Sequence, residues 1–176
     1  AAEIIDKNWK YLLCFELIES FMIHKITNEK EKLKRCKIIN KILKKYINED
    51  SNETKFSMAY ASFEASIWGE AQNYLDQIKQ DKWDERVINL YEKINIKTKK
   101  TKSIFLNINI LPKPLWKCAS CGYQNEKWQL TCSNCGSIGT VMWPKSNIKL
   151  HKENDFFKDF LNNPLRHLPK MKRENR

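Results

Sequence analysis

The chain has 176 residues, with 32 Lys+Arg against 21 Asp+Glu and a formal charge of +11. That length is room for one ordinary domain, or for two small units sharing a core. Apolar residues make up 41% and charged ones 30%, which excludes a disordered polyampholyte and a membrane bundle. No run of about 18 apolar residues is present to span a bilayer. The apolar start at Ile4 and Ile5 is too short for a secretory signal, so these residues are expected to be soluble. The chain opens on Ala1 rather than Met, which admits a longer parent protein.

The positive charge is carried by 27 Lys and only 5 Arg. Phosphate and base recognition favours Arg for its bidentate fork. The lysines, accompanied by abundant Asn and Ile, therefore read first as a solvated face drawn from A/T-rich coding. A nucleic-acid surface is the competing reading, since basic patches bind phosphate by counterion release. The densest stretch, Lys30 to Lys45, interleaves with apolar residues at helical spacing.

In chain order, residues 8–26 read as a helix with Trp9, Leu12, Leu13, Leu17, Phe21 and Ile26 near one side. Thr27 and Asn28 break and cap before a second helix over 29–48, where Leu33, Cys36, Ile39, Leu43 and Tyr46 recur every three or four residues. After a polar loop, Ser51 or Asn52 caps a helical hairpin over 56–67 and 69–79. Its small residues, Ala59, Ala61, Ala65 and Ala71, stand where two helices must approach closely. The stretch from Asn52 to Glu85 has the tetratricopeptide period. Ala59, Trp68, Ala71 and Leu75 occupy that repeat's pattern positions, but Lys55 replaces the usual Trp and Trp83 stands where Pro often closes the repeat. Asp84 caps a further helix to Ile96, with Val87, Leu90, Tyr91 and Ile94 inward. A lysine-rich loop and a short apolar segment, 104–110, follow. The paired prolines of Leu111-Pro-Lys-Pro-Leu115 then end the helical part.

Past the prolines stands Cys118-x2-Cys121, ten residues, then Cys132-x2-Cys135, each second Cys followed by Gly. Each knuckle aims two thiolates at one point, and two knuckles supply four soft ligands in a closed tetrahedron, as in structural zinc sites. Gly122 and Gly136 relieve the turns, and a sheet hairpin over 122–131 is expected to bring the knuckles together. Zinc is the expected ion, with iron in a rubredoxin-like site as the alternative. Four protein ligands leave no position for an activated water, so metal catalysis is not expected. The spacing also argues against two disulfides, a single redox CxxC on a βαβ frame, and haem attachment, which needs His after the second Cys. Lys117 and Lys127 are placed to offset the charge of four thiolates. Trp116, Tyr123, Trp128 and Trp143 are assigned mainly to the packing of so small a module. Cys14 and Cys36 are read as buried core thiols.

No Walker loop, GxSxG elbow or HExxH motif is present. His24 reads as a helix end, and His151 and His167 fall in a polar tail. Glu64 and Glu70 near the hairpin turn have no basis for an acid–base role. The expected organisation is mainly α: tetratricopeptide-like hairpins over 1–110, a small β zinc ribbon over 111–145, and a polar tail over 146–176 with an amphipathic stretch at 155–161.

The order Ile67-Trp-Gly-Glu-Ala71, Tyr74-Leu75, Leu111-Pro-Lys-Pro-Leu-Trp-Lys-Cys118, Trp128 before Cys132, and Cys135-Gly-Ser-Ile-Gly-Thr-Val-Met-Trp143 resembles the C-terminal part of HemY-type tetratricopeptide proteins of bacteria. The resemblance covers residues 52–144. It implies a scaffold linked to haem biosynthesis on the cytoplasmic side of the inner membrane, held there by an N-terminal anchor that these residues lack. Its implied partners are haem-pathway or inner-membrane proteins. LapB-type regulators of lipopolysaccharide assembly also join repeats to a cysteine site and are the second family resembled. A basic zinc-ribbon module binding nucleic acid is the alternative from another class, and an iron redox protein a third. The expectation is a non-enzymatic scaffold.

Overall fold

The computed structural model describes residues 2–26, 28–47, 51–99 and 110–143. Within them six helices precede a three-stranded antiparallel sheet: α1 (Ala2–Leu12), α2 (Phe15–Ile23), α3 (Glu29–Leu43), α4 (Asn52–Glu64), α5 (Trp68–Asp76), α6 (Glu85–Thr98), β1 (Trp116–Cys118), β2 (Gln124–Asn125) and β3 (Val141–Met142). The fold is mainly helical, as the apolar periodicity implies. No helix among the described residues is long and apolar enough to cross a membrane.

The first expected helix is two. Leu13 takes a left-handed backbone, φ 40°, and the chain restarts at Phe15. Leu13 and Cys14 are both buried, but in different places: Leu13 in the helical core, Cys14 against the β ribbon. A continuous helix sets neighbours about 100° apart on one cylinder. The break lets the two side chains enter separate cores, against a left-handed cost of roughly 1–2 kcal/mol for a residue with Cβ. Of the inward set expected there, Trp9 is wholly buried and its indole Nε1 donates to Thr54 Oγ1 at 3.0 Å. Leu17, Phe21 and Ile26 are half-buried, and the Leu12 side chain lies outside the described part. His24 does end α2, its N–H bonding Ser20 O.

Local capping chemistry sets the starts of α3, α4 and α6. Asn28 Oδ1 accepts from Glu31 N at 2.9 Å, Ser51 Oγ from Thr54 N at 3.2 Å, and Asp84 Oδ1 from Arg86 N and Val87 N. Each satisfies backbone donors that a helix leaves orphaned. The first hairpin helix stops at Glu64, not Ile67. Ser66 swings to φ 60°, and Ile67 N reaches back to Ser62 O at 2.9 Å, a closing bond that satisfies a terminal carbonyl. Sequence reading misses this stop because no Gly marks the left-handed position.

Helices pack on their chain neighbours, and α1 also packs on α3, α2 on α4 and α4 on α6. Nearest-neighbour packing of this kind belongs to stacked helical hairpins. The close approaches fall at Ala59, Ala61 and Ala71, all wholly buried. At the α3–α5 seam, Asn40 Nδ2 donates to Glu70 Oε1 (3.3 Å), which also accepts from the Tyr74 hydroxyl (3.1 Å). Glu64 lies 3.8 Å from Lys32. Both carboxylates therefore serve packing contacts. Val87, Leu90, Tyr91 and Ile94 all face inward, and Tyr91 hydrogen-bonds Asp76.

Leu111 fastens the proline join to the helices. Leu111 N donates to Trp83 O (2.9 Å), and Glu85 N to Leu111 O (3.2 Å). The apolar segment at 104–109, the closing residues of the ribbon module at 144–145 and the tail, with its amphipathic stretch, His151 and His167, lie outside the described residues.

Candidate metal centre

The strand order β2-β1-β3 differs from the hairpin over 122–131 expected between the knuckles. Trp116 pairs with Asn125 and Lys117 with Gln124, while Cys118 pairs on its other side with Val141. The first knuckle is itself the turn between β1 and β2. The second hangs from an isolated antiparallel bridge between Thr131 and Ile138. A central β1 carrying Cys118 is the geometrical requirement, since it ties the first knuckle to both ends of the ribbon.

The two knuckles repeat one backbone pattern. Gly122 N bonds Cys118 O and Gly136 N bonds Cys132 O, both at 2.9 Å. Cys118 N bonds Tyr123 O and Cys132 N bonds Ser137 O, again both at 2.9 Å. Gly122 and Gly136 sit at φ +76° and +70°, left-handed values at which any Cβ is strained.

The four sulfurs converge: all lie within 4.8 Å of one another. Cys118 and Cys135 are 3.8 Å apart, and Cys121 and Cys132 are 3.7 Å apart. A tetrahedron of Zn–S bonds of about 2.3 Å has S–S edges of about 3.8 Å. A disulfide needs about 2.05 Å. The donor set therefore fits a tetrahedral thiolate-binding ion, and Cys118, Cys121, Cys132 and Cys135 would hold it. Cys118 and Cys132 are buried, Cys121 and Cys135 exposed.

Hydroxyl groups attend two of the thiols. Thr140 Oγ1 lies 3.2 Å from Cys118 Sγ and holds that thiol down to about 6. Ser137 Oγ, 3.2 Å from Cys135 Sγ, lowers Cys135 in the same way. Cys132 is pushed up. The N–H groups of Cys135 and Asn134 pull it down, but burial and the neighbouring Cys118 and Cys135 sulfurs outweigh them. Thiolates crowded without a counter-charge oppose one another, and a divalent cation relieves that conflict. Lys117 is exposed on β1, and Lys127 lines a neighbouring cleft.

Several supporting residues escape sequence reading. Buried Asn125 accepts from Gln129 Nε2 and from Ser133 Oγ (3.2 Å), holding the inter-knuckle loop to the second knuckle. Cys14 joins Trp116, Cys118, Cys132, Val141 and Trp143 in the ribbon core; burial pushes its thiol well up, and it donates to Glu16 Oε2 at 3.1 Å. The four ribbon aromatics divide. Trp116 and Trp143 are buried edge to face, centroids 5.1 Å apart. Tyr123 and Trp128 are 47% and 57% exposed, so the packing role expected for all four holds for only two.

Arg86 anchors the seam between ribbon and helices. Its two terminal nitrogens meet Glu53 Oε1 and Oε2, both at 2.8 Å, and Nη2 also reaches Asp84 Oδ2 at 2.8 Å. The guanidinium lies over Phe56 (4.8 Å), Phe15 (5.8 Å) and Trp143 (5.8 Å). Burial pushes Glu53 up, and Arg86 opposes that shift. Nothing in the local sequence around Glu53 or Arg86 signals this pairing. Only the packing of α4 beside α6 creates it.

No protein-family model matches the chain, and no curated protein or solved structure does either. The HemY-type and LapB-type resemblances accordingly stand on the sequence motifs alone.

Proposed function

We propose that the protein is a non-enzymatic interaction scaffold in which a zinc-held ribbon is seated on a stack of helical hairpins. The observation that carries this reading is the convergence of four cysteine sulfurs at tetrahedral separations, with Cys14, Trp143 and Arg86 fastening the ribbon to the helices. All four sulfurs are used as ligands in such a site, so it organises structure and leaves no open position for a reacting water. The helices supply stacked surfaces of the kind that hold partner proteins. Zinc suits the thiolate tetrahedron, and iron uses the same four ligands. The link to haem biosynthesis at the inner membrane is carried by the motif order around residues 52–144.

Metal analysis of the purified chain tests the first half. A colourless protein with about one zinc per chain, lost in Cys132→Ser, is expected for a single tetrahedral site. A coloured preparation that bleaches on reduction refutes zinc in favour of an iron redox centre. Pull-down from nuclease-treated extract, with Cys132→Ser as control, tests the second half. Recovery of haem-pathway or inner-membrane proteins supports the scaffold, and envelope-assembly proteins move it to the LapB-type role. Binding that disappears with nuclease refutes both and makes the lysines a nucleic-acid surface.

A further inference from the structure

Between the helices and the ribbon runs an open cleft of about 650 Å³, within the size range of ligand-binding clefts. One wall is α2, which contributes Glu16 and Glu19. Glu85, in the first turn of α6, also lines it, and the ribbon loop supplies Glu126. Lys113 and Lys127 are the cations of the lining, so four carboxylates face two lysines. A protein of formal charge +11 thus reverses sign at this place. Among the described residues, no ion pair engages Glu19, Glu85 or Glu126. The remaining lining is apolar: Pro112, Leu115, and the indoles of Trp116 and Trp128. Trp128 is 57% exposed, an unusual disposition for the largest apolar side chain in so small a module.

We infer that this cleft docks a basic peptide segment of a partner protein, its Lys or Arg side chains on the glutamates and its aliphatic side chains on Trp128 and Leu115. Charge complementarity selects the occupant. A phosphate-bearing ligand meets net negative charge here, whereas a cation gains both from the carboxylates and from the face of an exposed indole. An open cleft whose lining mixes carboxylates with indole and aliphatic surface matches an extended segment carrying both basic and apolar side chains. The inference rests on the scaffold reading and gives it a partner chemistry.

The test uses the full, metal-loaded chain and a fluorescein-labelled synthetic peptide of lysines interspersed with leucine and serine, read by anisotropy. Its controls are the same peptide with Glu for Lys, and one with Ser for Leu. The expected result is saturable binding of the first, weakened at least about tenfold by each control. The same loss, about 1.4 kcal/mol, is expected from Glu85→Lys/Glu126→Lys and from Trp128→Ala, with metal content and helical circular dichroism unchanged. Equal affinity for the acidic control overturns the inference, as does unchanged affinity in the charge-reversed protein. Binding of a single-stranded oligonucleotide that depends on Trp128 also overturns it. Extract pull-down with the charge-reversed protein separates this inference from the scaffold reading. Undiminished capture refutes the cleft and leaves the scaffold standing, while no capture by the unaltered chain refutes the scaffold itself.

Discussion

Replacing Arg86 with Met removes the central charge of the helix–ribbon seam while keeping most of its volume. The backbone N–H groups that Asp84 caps remain, so α6 keeps its start. What changes is Glu53, whose side chain is only 7% exposed and loses both 2.8 Å hydrogen bonds, and with it Asp84, 11% exposed, which loses its 2.8 Å bond from Nη2. Stranding one member of a buried ion pair costs about 3–5 kcal/mol, whereas replacing both with apolar residues is often neutral. Arg86→Met is therefore expected to lose about 3–5 kcal/mol, and Glu53→Leu/Arg86→Met to recover only part of that loss, because Asp84 still lacks its cation. Urea unfolding of the metal-loaded chain, followed by far-ultraviolet circular dichroism, measures both. The sign of the pH dependence follows from the same burial. Burial already raises the Glu53 carboxyl above its ordinary value, and the hydrogen bonds and positive charge of Arg86 are what oppose that rise. Without them its folded pKa rises further. A raised carboxyl pKa penalises the fold above that pKa and releases the penalty as pH falls through it. The stability gap between Arg86→Met and the unaltered chain should thus narrow on acidification, at pH values where both retain metal. A loss under about 1 kcal/mol, or a gap independent of pH, would falsify this account of the seam.

Three other outcomes are expected. Cys132→Ser abolishes metal binding and the tertiary signal of the ribbon tryptophans, because structural metal binding is coupled to folding; metal retained at full occupancy by inductively coupled plasma analysis would contradict this. Gly136→Ala, at φ +70°, costs roughly 1–2 kcal/mol of ribbon stability, read as faster metal transfer to a chelator, and an unchanged rate would show that the knuckle relaxes freely. Trp143→Ala removes an indole 6% exposed and packed on Trp116 and Arg86. A loss of about 3–5 kcal/mol should appear in helical and ribbon probes together. Selective loss of the ribbon signal would show that the seam transmits no stability to the helices.

What the sequence determines by itself is local. Ser51, Asn28 and Asp84 fix helix starts because a short polar side chain answers orphaned N–H groups within three residues. The inward faces of α3 and α6 follow from spacing alone, as do the paired knuckles, whose Cys-x2-Cys-Gly order encodes both the ligands and the left-handed glycines. Contacts between distant segments are another matter. The break at Leu13 exists because Leu13 and Cys14 serve different cores, and no local residue announces it. The central place of β1 depends on Val141, more than twenty positions away. The Arg86–Glu53 pair forms only when α6 packs beside α4, and the acidic cleft only when the ribbon seats on α2 and α6. Backbone capping is decided over one turn of chain, whereas burial of a charge or an indole depends on every element packed around it. Tertiary structure alone therefore decided which tryptophans became core and which remained exposed.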